Sequence, residues 1–134
     1  MNFFSLYALT VPFLAVLDAV WIGGLARTYY KTQLGALLSP QVLWVPAIAL
    51  YFLYAAGIVF FVLQPALAAH SLTRAVLGGM FFGLVAFGVY DLTNLATTAN
   101  WPVVMSFVDM AWGAFQGAVV SGAVYWIAIR FLGA

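Results

Sequence analysis

A chain of 134 residues that is 67% hydrophobic and 5% charged, with a net charge of +1, has too few polar groups to coat a water-facing surface, because about a quarter of the residues in a soluble domain are charged. Four basic and three acidic side chains exclude the basic surface that neutralises many phosphates, so nucleic acid is not a partner. Cysteine is absent, which excludes disulfides, thiol catalysis and thiolate metal sites and leaves oxygen chemistry.

Each crossing of a hydrocarbon core about 30 Å thick takes about 20 apolar residues, so four crossings with short connections use nearly the whole length. The expected fold is all-α: a polytopic membrane protein built as a four-transmembrane-helix bundle, with one membrane domain over residues 1–134. The first span is expected over about residues 3–25. Its apolar stretch has no basic start and runs through Asp18 without a small-residue cleavage site, so it reads as a retained helix rather than a signal peptide. Residues 27–38 follow with Arg27, Tyr30, Lys31, Leu34, Leu37 and Leu38, a weak amphipathic pattern that suits a short interfacial helix or a plain loop. The second span is expected over residues 44–63, stopped by Gln64 and Pro65. The third follows the capping segment His70-Ser71-Leu72-Thr73, covers residues 74–98, and is broken by Asn100-Trp101-Pro102. The fourth covers residues 102–130, with Trp126 as an interfacial anchor.

Arg27 and Lys31 lie on one side of the bilayer and Arg74 and Arg130 on the other, so the basic residues are balanced two against two and assign no orientation. His70, the single histidine, reads as a surface residue opposite the acidic end. Gly79 and Gly83 in the third span, and Gly113 and Gly117 in the fourth, recur at four-residue spacing and mark faces where backbones approach closely. Those faces serve packing within one chain or, alternatively, a homodimer.

The acidic residues are Asp18, Asp91 and Asp109. Each lies about seven residues from a span end at the same boundary, so at about 1.5 Å per residue all three sit roughly 10 Å inside one face of the bilayer. A carboxylate in a span is costly and faces the bundle interior or a wet cavity. Convergence would leave a protonated acid, a shared proton or a bound cation. Asn94 and Thr98 share a helical face with Asp91, Trp21 with Asp18, and Trp112 and Gly113 with Asp109, which adds donors and aromatic walls. Arg27 or Lys31 could instead reach in and make an ion-paired plug. A faint echo, Asp18-Ala-Val-Trp21 and Asp109-Met-Ala-Trp112, is no better explained by duplication than by chance.

The run Tyr90-Asp91-Leu92-Thr93-Asn94-Leu95-Ala96-Thr97, then Trp101-Pro102, then Asp109 with Trp112-Gly113, together with Leu17-Asp18-Ala19-Val20-Trp21, resembles a family of small bacterial four-helix integral membrane proteins classed as a domain of unknown function. The resemblance covers essentially the whole chain. It implies the fold and a bacterial inner (cytoplasmic) membrane setting, and it brings no established activity.

Three functions follow from the residues. The first is a binding or transport protein whose site, Asp18, Asp91, Asp109, Asn94, Trp21, Trp112, Tyr90 and Thr98, handles a proton, a cation or a small lipophilic ligand. The second is an enzyme acting on a lipid or isoprenoid by carboxylate acid/base chemistry, with Mg²⁺ or another hard cation held by Asp18, Asp91 and Asp109 as the conceivable cofactor. The third is an accessory subunit of a larger membrane complex.

Overall fold

The computed structural model describes Met1–Ala134. α1 (Phe3–Val20) continues through a π turn, Trp21–Leu25, and α2 (Arg27–Leu34) follows it, ending in a short 3-10 turn, Gly35–Leu37. α3 (Trp44–Gly57) passes through a second π turn, Ile58–Leu63, into α4 (Gln64–Ala68); α5 (Leu72–Thr97) and α6 (Val103–Phe131) complete the chain, and there is no strand. Four helices are long and apolar enough to cross a membrane: Phe3–Leu25, Trp44–Ala68, Leu72–Thr97 and Val103–Phe131. Helices answer the bilayer's main demand, because each satisfies its own backbone hydrogen bonds where no water can.

The ends follow local chemistry. The Asn2 side chain accepts from Ser5 N–H at 2.8 Å to open α1, and Ser71 accepts from Arg74 N–H at 3.0 Å to open α5. Gly35 closes α2 at φ +51°, a conformation that costs glycine little. Asn100 at φ 62° turns the chain between α5 and α6, and Pro102 stands at the start of α6 with its φ already helix-compatible.

The second membrane helix does not stop at Gln64-Pro65 as the sequence suggests; it runs on to Ala68. Pro65 sits in the first turn of α4, directly after the π turn. A widened turn there already departs from the hydrogen-bond ladder, so the missing proline N–H and its ring disrupt less than they would inside a regular helix.

α5 and α6 make the most extensive contact in the molecule. Its cause is glycine: a Cβ on Gly79 or Gly117 would strike the other's backbone carbonyl or its surroundings, and a Cβ on Gly83 would strike the Gly113 carbonyl. All four glycines are buried between the chain's own helices, so this seam is occupied within the chain. The apolar core, including Leu6, Leu14, Ile58, Leu63, Val120 and Val124, fills the half of the bundle away from α2. Large apolar side chains such as Phe4, Leu53, Phe61, Phe81 and Phe107 are exposed on the outside, where acyl chains replace water. The three aspartates lie toward the end that α2 covers.

Candidate functional site

α1 and α6 run in opposite directions, and each carries an aspartate with a tryptophan three residues later. In an antiparallel pair, that arrangement sets the tryptophan of each helix toward the aspartate of the other. The Trp112 Nε1–H donates to Asp18 Oδ1 at 3.3 Å. The reciprocal link passes through a phenol: Trp21 Nε1–H donates to the Tyr30 hydroxyl at 3.0 Å, and Tyr30 donates to Asp109 Oδ1 at 2.7 Å. Between the two links the indoles of Trp21 and Trp112 stack with centroids 4.4 Å apart and planes 3° from parallel. The Tyr30 bond is the short, strong member, whereas 3.3 Å is at the weak end for N–H donation.

The π turn places Tyr30. It begins at Trp21, whose carbonyl accepts from Ala26 N–H at 2.8 Å. Ala26, buried at the corner, lets α2 fold back over the end of the bundle. Tyr30, one turn into α2, thereby reaches Asp109 on α6. Gly23 and Gly24 lie in this π turn with open space at their would-be Cβ positions. Burial, followed by the bond to Asp109 and its charge, holds the Tyr30 phenol well above its ordinary range, so it remains a neutral donor.

Asp91, on α5, is 0% exposed, and neither of its carboxyl oxygens has a hydrogen-bond partner. Its carboxyl lies beside that of Asp109. The nearby Ser106 hydroxyl is committed to the Pro102 carbonyl at 2.7 Å. Asp18 and Asp109 are half-buried. The structure thus collects all three aspartates at one end of the bundle, in two linked groups: Asp18 with Trp112, and Asp91 with Asp109, Tyr30 and Trp21. They do not form a set of three acidic ligands able to hold one metal ion. The ion-paired plug is not formed either. Arg27 and Lys31 are exposed, and the donors on the carboxylates are the neutral Tyr30 and Trp112.

Other expected site residues lie at the margin. Thr98 donates to Asn94 Oδ1 at 3.3 Å, so these two side chains serve each other at the end of α5. Tyr90 is 54% exposed and meets Trp101 edge-on at 5.7 Å, outside the linked groups. Sequence reasoning missed Tyr30, whose role depends on the π turn, and Tyr51, which faces Asp18 from α3. It also missed Gln116, which the spacing could have flagged, since it lies seven residues beyond Asp109 on the same face of α6.

Two surface cavities lie at the opposite end. One of about 510 Å³ is lined by Leu72, Val76, Phe115, Gly122 and Trp126, and one of about 350 Å³ by Met1, Leu6, Gln64 and Ala134. Neither touches an aspartate.

A family described as "Predicted membrane protein (DUF2177)" matches residues 3–126. No curated protein and no solved structure matches the chain.

Proposed function

The chain belongs to the DUF2177 family of predicted membrane proteins, and from its own geometry we propose that this integral membrane protein takes up and releases a proton at the Asp91–Asp109 pair. The supporting observation is the state of Asp91: fully buried, without a hydrogen-bond partner, and beside a second carboxyl. Ionising two adjacent carboxyls out of water sets like charge against like charge and desolvates both, so the pair is best served by one shared proton. A protonated Asp91 becomes a donor, and Asp109 is the acceptor at hand. Asp109 already accepts from Tyr30 at Oδ1, which leaves Oδ2 for Asp91.

Tyr30 covers the pair from the α2 side. Its hydroxyl donates to Asp109 and accepts from the Trp21 indole N–H, which can donate but cannot take up a proton, so Tyr30 holds the Asp109 carboxylate in place rather than passing its proton on. It sits on α2, whose Arg27 and Lys31 are exposed, so exchange with the surface takes place at the α2 end. Asp18, tied to Trp112, couples α1 to the helix that carries Asp109. A proton site shared among helices in this way is a part from which movement of a cation or small lipophilic ligand can be driven. Direct binding of a hard cation such as Mg²⁺ has less support, because the carboxylates do not gather as ligands.

The test is infrared titration of the protein in lipid bilayers against pH, for wild type and for Asp18→Asn, Asp91→Asn and Asp109→Asn. A protonated-carboxyl band at neutral pH, abolished by Asp91→Asn, moved by Asp109→Asn and kept in Asp18→Asn, is expected. A wild-type spectrum without that band overturns the proposal.

A further inference from the structure

Beyond the carboxylates, the bundle buries a second set of polar atoms that the proton site does not use. Gln116 on α6 is 1% exposed, and both its amide oxygen and its amide nitrogen lack partners. The Tyr54 hydroxyl on α3 is buried without a partner as well. These two groups come from different helices, within one helical turn of the Gly83–Gly113 contact. The Tyr54 hydroxyl stands over the closest approach of α5 and α6, where a Cβ on Gly83 would meet it at 3.3 Å and would also strike the Gly113 carbonyl. Gln116 follows Gly113 by three residues, just under one turn, and lies on the Asp109 face of α6.

Seven residues at about 1.5 Å each set Gln116 roughly 10 Å deeper than Asp109, near the middle of the hydrocarbon core. Lipid offers nothing to an amide there. A primary amide has two donors and an acceptor with two lone pairs, and a phenol has one donor and an acceptor. Together with the carbonyls that the glycine seam brings close, they supply the two to four polar partners that a buried water requires. Deeper still, the lining is mainly apolar, with Leu6, Leu63, Val120 and Val124, and the one unpartnered hydroxyl there is that of the buried Ser121.

We infer that Gln116 and Tyr54 line an internal water site in the interior of the bundle, beyond the aspartates from the α2 end. The water satisfies polar groups that the hydrocarbon core cannot. The inference rests on the unpartnered amide and phenol alone and does not require Asp91 to carry a proton.

The experiment is water-edited solid-state NMR on the full chain in bilayers with ¹⁵N-labelled glutamine, the Gln116 resonance being assigned by its loss in Gln116→Leu. Polarisation from water should reach the Gln116 amide at mixing times comparable to those for Gln33, which is exposed on α2. Tyr54→Phe should slow that build-up several-fold while leaving Gln33 unchanged. A wild-type Gln116 amide that receives no polarisation from water, or a build-up indifferent to Tyr54→Phe, overturns the site. Repeating the measurement on Asp91→Asn separates the two readings: Gln116 stays hydrated there whether or not the carboxyl pair binds a proton.

Discussion

Replacing Tyr30 by phenylalanine removes one atom and two hydrogen bonds. The bond to Asp109 at 2.7 Å is charge-assisted when that carboxylate is ionised and contributes about 1.5–3 kcal/mol; the bond from Trp21 at 3.0 Å contributes about 0.5–1.5 kcal/mol. Their sum is about 2–4.5 kcal/mol for a fully buried site. Tyr30 is only half-buried, so water can replace part of what is lost, and the lower end applies. The expected destabilisation is therefore about 2 kcal/mol, roughly a 30-fold fall in the ratio of folded to unfolded protein. Reversible unfolding in bilayers or mild detergent, followed by tryptophan fluorescence, measures it. The neighbouring Tyr29 makes an edge contact to Tyr30 at 6.0 Å, and Tyr29→Phe, as the control, should stay within about 0.5 kcal/mol of wild type. Trp21→Phe breaks one of the same bonds, so the double variant should lose less than the sum of the singles by about 0.5–1.5 kcal/mol. A Tyr30→Phe protein as stable as wild type, or strictly additive singles, would refute the linked geometry of Trp21, Tyr30 and Asp109.

Further outcomes follow from the same structure. Burial and the Asp109 acceptor make the folded chain hold the Tyr30 proton more tightly than the unfolded chain does, so its contribution to stability is complete below the ordinary tyrosine value of 10.0 and is lost as pH rises past it. The tyrosinate absorbance difference between wild type and Tyr30→Phe should accordingly appear only above pH 10.0; ionisation at or below that pH counts against the burial argument. Trp112→Phe keeps an aromatic ring but leaves Asp18 without its donor. It should cost about 1 kcal/mol and remove the coupled-indole signal from the near-ultraviolet circular dichroism, and an unchanged spectrum would mean the rings are not stacked. Gly117→Ala drives a methyl into the Gly79 carbonyl and should destabilise by about 1–3 kcal/mol, whereas Gly23→Ala, with open space at its Cβ, should stay within about 0.5 kcal/mol. Equal effects of the two would show that the seam is loosely packed.

The four membrane helices were legible because apolar length is a direct reading of what a bilayer demands. The common depth of Asp18, Asp91 and Asp109 was legible by counting residues from the ends of the spans. What those aspartates touch was not. The two Asp-x-x-Trp segments looked no better than coincidence as a string, and acquire meaning only once α1 and α6 lie antiparallel and exchange partners. Tyr30 was visible as part of a weak amphipathic pattern, yet a period of 3.6 residues cannot foresee a π turn that swings α2 back over the bundle. Pro65 misled for a related reason, since the π turn before it removes the usual conflict. Asp91 is fully buried while Asp18 is only half-buried, a difference set by which neighbours flank α5 and invisible in residue type.

The glycine seam has a mechanical consequence. Backbone-to-backbone contact between α5 and α6 leaves no side chains whose rotamers could absorb sliding, so this pair behaves as a fixed jaw carrying Asp91 and Asp109. Facing it is α1 with α2, joined to the fixed pair at this end by one indole N–H bond, one phenol O–H bond and a ring stack. The π turn with Gly23-Gly24, where nothing crowds the backbone, connects α1 to α2. Under the proposed proton uptake, a change of charge at Asp109 falls on the Tyr30 bond that ties α2 to α6.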